Sequence, residues 1–384
     1  MAPILDIRDL VTNFYTYEGV VKALNRVSFK VCHGSTFGLV GESGCGKSVT
    51  VRSVMQIVQP PGVIEGGQVL FSPDPAGGAP VDLLRQSEGF MQDFRGNMVS
   101  MIFQEPNAAL NPIMTIGEQI AESYIFHRKQ QIIEKILGRD TAGDNPFPEV
   151  GASPLFIPLY RLAARRPDAL VLKAVKKIPL LKHWDRAVLR TAVKKSVDLL
   201  ATLGIPNPER IVDQYPHNLS GGMKQRVVIA IALASEPVLL IADEATSNLD
   251  VTVQAQILDL LNDLKRRRII SSILLITHDL GVVKETCDRV GVMYAGNLCE
   301  VGNADALFEN PRHPYTRALL DSVPKLRQTE ALKSIAGSVP NLVNPPEGCR
   351  FHPRCGHVMA RCKEKFPGMV EAGDGHQVAR YLYH

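Results

Sequence analysis

Nowhere in the 384 residues does an apolar run approach the roughly 18 consecutive positions that a membrane-spanning helix needs. The first residues, Met1-Ala2-Pro3-Ile4-Leu5-Asp6, also lack the basic start and apolar core of a secretory signal. The expectation is a cytosolic chain that reaches a membrane only by docking on something in it. A net charge of +4 is too small for a general nucleic-acid binder. Cysteine is sparse: of seven, Cys32, Cys45, Cys287 and Cys299 stand singly in apolar or motif contexts and read as reduced core residues. Cys349, Cys355 and Cys362 crowd into the last 36 residues at ligand-like spacing, without a fourth cysteine beside them.

At 45% hydrophobic, a chain of this length buries a large core and holds one big domain with a smaller appendage. Its charge is uneven. Residues 128–195 carry 15 Lys/Arg against 6 Asp/Glu, a local +9 that leaves −5 elsewhere. That segment reads as a solvated insertion, or as a face held near anionic headgroups or an acidic partner.

Short apolar runs between residues 4 and 40 predict a small antiparallel sheet leading into a buried strand, Thr36–Val40, with a helix from Lys47 to Val58. Further strands are expected at Val99–Phe103, Val238–Ala242 and Ile273–Thr277, and helices at Met223–Ala234 and Val251–Leu264. Alternation of this kind implies a parallel sheet with ligands at the carboxyl ends of its strands. Val188, Leu189, Ala192, Val193, Val197, Leu200 and Leu203 recur at helical spacing and mark a core helix. A Pro/Gly-rich stretch, 143–148, lies inside the mostly helical middle, and proline enrichment from about Asn310 marks a C-terminal extension.

Two segments look built for phosphate. Gly41-Glu42-Ser43-Gly44-Cys45-Gly46-Lys47-Ser48 follows a strand and opens a helix, the context a G-x-x-x-x-G-K-S loop requires. The N–H groups of Gly41, Ser43, Gly44, Cys45, Gly46, Lys47, Ser48 and Val49 would cradle phosphates, Lys47 would sit between the β- and γ-phosphates, and Ser48 would coordinate Mg²⁺. Leu219-Ser220-Gly221-Gly222-Met223 is a second anion-ready helix start, a serine cap and two glycines, with no strand and loop of its own. It reads as a site for a nucleotide held by another chain.

The apolar strand Leu239–Ala242 ends in Asp243-Glu244, a costly place for carboxylates unless a cation or a reaction needs them. Asp243 is expected to hold Mg²⁺ and Glu244 to act as general base on the attacking water. His278 ends the next strand and Gln104 an earlier one, so both fall at the same sheet edge. His278 is read toward the γ-phosphate and the water, Gln104 toward Mg²⁺ and the water.

In this order and spacing the chain resembles an ATP-binding cassette (ABC) ATPase: Walker A at 41–48, Q-loop Gln104, signature 219–223, Walker B ending at Asp243-Glu244, D-loop Ser247-Asn248-Leu249-Asp250 and switch His278. The resemblance covers about residues 4–300. It implies an α/β fold: a P-loop ATPase with a RecA-like parallel-sheet core, an N-terminal antiparallel β subdomain, a helical subdomain and a small C-terminal cysteine-containing extension. The expected division is 1–308 for the nucleotide-binding domain, with the helical subdomain and its basic insertion at about 105–235, and 309–384 for the extension. In this family two cassettes pack head to tail, so Ser220, Gly221, Gly222 and Asp250 serve the ATP bound by the partner cassette. An aromatic stacking on adenine is expected from a loop about 30 residues before Lys47, with Tyr17 favoured and Tyr15 close behind.

The wording of Gly41–Gly44, of Phe103-Gln104-Glu105-Pro106 and of Asp250–Ile257 is similar to one branch, the importers of dipeptides, oligopeptides, nickel chelates or oligosaccharides. The tail from Asn310 to Leu320, then prolines and cysteines, is similar to that branch's ATPase subunits. The branch implies an ATPase on the cytoplasmic face of the cell membrane, working with a second and paralogous ATPase subunit, two transmembrane permease subunits and an extracytoplasmic solute-binding protein, and not with nucleic acid. Ala245 departs from the branch's usual proline, and the basic insertion is longer than usual, so it is expected to modify docking to the membrane subunits. Several relatives bind a [4Fe-4S] cluster with four tail cysteines. Here Cys349, Cys355 and Cys362 match three, and Arg380 stands where the fourth is expected. Either a non-cysteine ligand such as His376, His352, His357 or His384 completes a metal centre, or there is none. The competing class, a soluble ABC ATPase acting on DNA or ribosomes, usually carries two cassettes, a coiled coil or a zinc insertion, and this chain has one cassette without heptads.

Overall fold

β1 (Pro3–Thr16) and β2 (Gly19–Cys32) form a long hairpin in which Phe14 pairs with Val21 and Leu5 with Val31. The computed structural model describes residues 2–103, 105–137, 156–165, 185–246, 249–322 and 335–383. Gln104, Ser247, Asn248, His384, residues 143–148 and much of the basic segment lie outside the described residues. The chain divides into two units, one of residues 1–104 with 238–384 and one of 105–237.

In the first unit β3 (Thr36–Val40) follows the hairpin, and every residue of it is buried. β4 (Gly62–Phe71) and β5 (Val81–Asp82) complete a four-stranded antiparallel sheet of order β2-β1-β4-β5. The sequence did not point to β4, whose glycines at 62, 66 and 67 obscure its alternation. β6 (Val99–Ile102), β7 (Leu239–Asp243), β8 (Ser272–Ile276), β9 (Arg289–Tyr294), β10 (Asn297–Asn303), β11 (Val370–Glu371) and β12 (Gln377–Val378) join β3 in an eight-stranded sheet. Its order is β11-β12-β10-β9-β3-β8-β7-β6. The five strands from β9 to β6 run parallel and are nearly continuous apolar runs, as a sheet covered on both faces demands. β10, β11 and β12 are added antiparallel, so the C-terminal region extends the sheet that carries the phosphate loop.

The helix after the loop spans Lys47–Val54, four residues shorter than predicted. Gln56 turns left-handed at φ 50°, and the Arg95 guanidinium takes the carbonyls of Met55 (2.8 Å) and Gln56 (3.1 Å). The antiparallel hairpin and the parallel sheet share one core, in which Phe29 stacks on Phe37 at 4.9 Å.

The second unit contains the helix Ile116–Ile136, which opens with a capping box made by Thr115 and Glu118, together with helices Arg186–Thr202 and Gly221–Leu233. Val188, Ala192, Leu200 and Leu203 of the periodic set are buried, whereas Leu189 is 42% exposed at the edge of that stripe.

Candidate functional site

The loop between β3 and the helix Lys47–Val54 depends on glycine. A Cβ on Gly41 (φ 151°) would lie 2.2 Å from the Met293 carbonyl oxygen, and Gly46 precedes the helix at φ 103° with Ala23 O at 2.9 Å. Only glycine accepts both the backbone angle and the close approach. The loop therefore folds around Lys47, which is 4% exposed and donates from Nζ to the carbonyls of Gly41 (2.8 Å) and Glu42 (3.1 Å). Cys45 is fully buried in the same loop, and burial pushes its thiol pKa up, so it packs as a small apolar group.

Across from this loop β7 delivers Asp243, 4% exposed, whose Oδ1 accepts the Ser48 hydroxyl at 2.9 Å. Burial raises the Asp243 pKa, against the Ser48 hydrogen bond and the Arg52 and Lys47 charges that lower it. A hydrated divalent cation between Ser48 and Asp243 would reverse that penalty, and a hydroxyl with a carboxylate is the hard-oxygen set that Mg²⁺ takes. These residues fit the ion.

Glu244 follows with a left-handed backbone, φ 49°, its N–H donating to Ile276 O of β8 at 2.9 Å. A non-glycine residue held in that region at a strand end is strain of the kind found at functional sites. Its Oε1 lies 3.6 Å from Nδ1 of His278, whose side chain is 57% exposed. Asp279 caps the next helix through the N–H of Gly281 and receives Gln254 Nε2 at 3.0 Å, which ties the strand ends after β7 and β8 together.

A cavity of about 360 Å³ opens over the loop, with Ser43, Gly44, Gly46, Lys47, Ser48, Val49 and Glu244 in its wall. Phe14, Val21, Ala23 and Leu342 supply its apolar lining. Tyr17, favoured from sequence, sits at the hairpin turn 97% exposed and outside that lining, and Tyr15 is half exposed with its hydroxyl bonded to Glu65. Phe14 was passed over. It precedes Lys47 by 33 positions and pairs with Val21, so strand alternation puts it on the cavity face.

In the second unit Ser220 is the N-cap of Gly221–Leu233 and accepts from Met223 N at 3.4 Å, leaving Ser220 and Gly221 exposed at the helix start. Asp250 caps Val251–Arg266 through Val253 N at 2.9 Å and is exposed. Gln104 lies outside the described residues.

A backbone hydrogen bond links the first and last of the tail cysteines. Cys349 N donates to Cys362 O at 2.8 Å, and Cys362 Sγ and Cys355 Sγ accept backbone N–H groups of Met359 and His357. Burial pushes the Cys349 thiol up to about 11 and raises that of Cys355. Among the described residues no group of three or more His, Cys, Asp or Glu side chains is set to hold a metal. His376 is engaged elsewhere, its Nε2 2.6 Å from buried Glu300, and His352 Nδ1 is 3.0 Å from Cys349 O. Arg380 binds the Arg312 carbonyl at 2.8 Å.

Residues 24–247 match the family described as ABC transporter, and residues 299–362 match the family described as oligopeptide/dipeptide transporter, C-terminal region. An oligopeptide transport ATP-binding protein of Bacillus subtilis (strain 168) is 41% identical over 99% of this chain and 89% of its own length. A dipeptide transport ATP-binding protein of the same strain is 39% identical over 100% of this chain and 95% of its own. A dipeptide transport ATP-binding protein of Lactococcus lactis is also 39% identical, over 99% and 90%. Among solved structures, a dimeric ATP-binding cassette in a post-hydrolysis state bound to ADP and phosphate superposes with TM-score 0.52 at 18% identity, covering 78% of this chain and 98% of that one. The cbiO1 cassette of Clostridium perfringens gives TM-score 0.54 at 22% identity over 81% and 92%. These two likenesses establish the fold.

Proposed function

The chain belongs to the ABC transporter family of ATPases, and from that premise we propose that it is the ATP-hydrolysing subunit of a peptide importer, energising uptake of di- or oligopeptides. The peptide assignment is supported by the names of its relatives and by the C-terminal match at 299–362. Such a subunit works with membrane permeases and a solute-binding protein. No helix among the described residues is long and apolar enough to cross a membrane, which suits peripheral attachment at the cytoplasmic face. We read its partner cassette as a paralogue, with Ser220, Gly221, Gly222 and Asp250 facing the nucleotide of that partner.

The observation that carries the ATPase reading is the meeting of Lys47, Ser48 and Glu244 in one cavity wall, with Asp243 hydrogen-bonded to Ser48. Lys47 exchanges the Gly41 and Glu42 carbonyls for phosphate oxygens and places its charge between the β- and γ-phosphates. Ser48 and Asp243, with Gln104, would hold Mg²⁺, which supplies charge neutralisation at the phosphates when bound. Glu244 takes the proton of the attacking water, and His278 orients that water and the γ-phosphate. Phe14, with Tyr17 as the alternative, faces the adenine.

Glu244→Gln tests this. It should keep ATP binding and accumulate a closed cassette pair while turnover falls at least about 100-fold, the range of a lost general base. Brisk hydrolysis by an assembled variant would remove Glu244 from that role. Co-purification of permease and solute-binding subunits tests the transport assignment.

The tail cysteines carry a narrower reading, a [4Fe-4S] centre on Cys349, Cys355 and Cys362 with a non-cysteine fourth ligand. Their spacing supports it; of the candidate fourth ligands among the described residues, His376 is engaged by Glu300. Iron and sulfide analysis of anaerobically purified protein decides it, since folded protein without iron would end that reading.

A further inference from the structure

One residue in the cavity wall lies far in sequence from the hairpin, the phosphate loop with its helix and the end of β7: Leu342, 295 positions after Lys47. Its place is fixed from both sides. The Lys22 N–H in β2 donates to the Leu342 carbonyl at 2.9 Å, and Arg350 Nη1 donates to the Lys22 carbonyl at 2.9 Å. Val343 lies so close to Gly19 that an added Cβ there would come within 2.7 Å of Val343 Cγ1.

Farther along, Arg354 binds the Glu42 carboxylate of the phosphate loop through Nη1 (2.9 Å) and Nη2 (3.3 Å). The same guanidinium holds the carbonyls of Ala336 (2.8 Å) and Ile335 (3.2 Å), so the chain entering and the chain leaving Leu342 are pinned by one side chain. Only 6% of the Arg354 side chain is exposed, which shields this pair from the screening that makes most surface ion pairs worth little.

The cavity lining divides by chemistry as a nucleotide does. Backbone N–H groups, Lys47 and Ser48 suit a polyanion, while Phe14, Val21, Ala23 and Leu342 suit a flat, largely apolar ring. We propose that Leu342 is a nucleotide contact that closes the apolar part of the cavity over the base, which makes the C-terminal segment 335–354 a working part of the ATP site. The inference rests on the reading of this cavity as the ATP site. It gives the tail a role at the nucleotide that needs no metal: Leu342 touches the base, and Arg354 positions Leu342 relative to the phosphate loop.

The test uses the full chain and two probes, Mg-ATP and inorganic tripolyphosphate, titrated calorimetrically against the parent, Leu342→Ala, Leu342→Met and Lys47→Ala. Leu342 is only partly buried, so its truncation leaves the fold intact. Leu342→Ala should raise the Kd for Mg-ATP about three- to tenfold, the effect of a few buried methylene groups, and leave tripolyphosphate within about twofold of the parent. Leu342→Met, which keeps volume, should restore ATP binding to within about twofold. Unchanged ATP affinity in Leu342→Ala would overturn the inference, as would equal weakening of both probes, because that pattern belongs to a distorted loop. If Lys47→Ala binds both probes like the parent, the ATP-site reading itself falls, and the inference with it.

Discussion

His313 holds the start of the helix Pro314–Asp321 and should make the seat of the C-terminal region fail as pH falls below neutrality. It is 3% exposed, its Nδ1 accepts the Tyr315 N–H at 3.1 Å, and its own N–H donates to Glu300 at 2.9 Å. Protonation would take the lone pair that caps the helix and leave a cation in the core. Burial accordingly pushes its pKa down from 6.5 to about 4, with Glu300 opposing and Arg380 reinforcing the shift. Below pH 6.5 the unfolded chain takes up the proton that the folded chain refuses, so stability falls with pH until about 4, where both forms are charged. The separation of about 2.5 pH units at about 1.36 kcal/mol each amounts to about 3 kcal/mol, with a steepest slope of about 1.4 kcal/mol per pH unit. Glu300 acts lower: burial raises its pKa, but the His376 and backbone N–H bonds outweigh this and hold it below the usual carboxylate range, so its contribution is lost only as pH falls through that lowered value. The assay is amide hydrogen exchange of β10 and the helix Pro314–Asp321, corrected for intrinsic rates, from pH 7.5 to 4.5, in the parent and in His313→Asn. Asparagine keeps a capping acceptor and cannot titrate. The variant should be about 1–2 kcal/mol less protected at pH 7.5 and should lose far less on acidification. Parallel profiles in the two proteins would refute the reasoning.

Gly41→Ala and Gly44→Ala separate contact from backbone strain. At Gly44 (φ 76°) nothing lies near the new Cβ, so the cost should be the left-handed penalty of about 1–2 kcal/mol; at Gly41 the Met293 carbonyl must also move, and urea unfolding should show about 3–4 kcal/mol. Equal losses would mean that the loop relaxes freely. Asp243→Asn should unfold within about 1 kcal/mol of the parent, since burial already disfavours its charge, yet weaken Mg²⁺-dependent nucleotide binding more than about tenfold. Binding that stays fully responsive to Mg²⁺ would place the ion elsewhere. Phe14→Ala should weaken ATP binding about tenfold and Tyr17→Ala hardly at all; the reverse order would return the stacking role to Tyr17.

What could be read in the sequence were the places where a local rule is strict. The buried strands β3, β7 and β8 are nearly continuous apolar runs, and each ends at or just before a residue that a polyphosphate site would use, so strand, boundary and candidate chemistry came together. Ser220 and Asp250 cap their helices as their residue types require. β4 was not legible because its glycines obscure the alternation, and the helix after Lys47 ended early because Arg95, 40 positions away, captures the carbonyls at its end. That Phe14, and not Tyr15 or Tyr17, lines the cavity was not legible for a similar reason: the tyrosines are the conspicuous rings, but which face of β1 meets the cavity depends on its register with β2.

The tail separates these two kinds of information most clearly. Its cysteines are what the sequence advertises, and metal chemistry is the natural reading of their spacing. Two side chains that join the tail to the phosphate loop are Arg354 and Tyr315, neither of them a cysteine. Tyr315 is fully buried and its hydroxyl accepts the Glu42 N–H at 3.0 Å, while Arg354 takes the Glu42 side chain, so both the backbone and the carboxylate of one loop residue are held by residues more than 270 positions away. Contacts at such separation leave no periodicity in a sequence. A change in the set of tail cysteines therefore need not release the tail from the ATP site, because the bonds that hold it there are made by an arginine, a tyrosine and the backbone of β2.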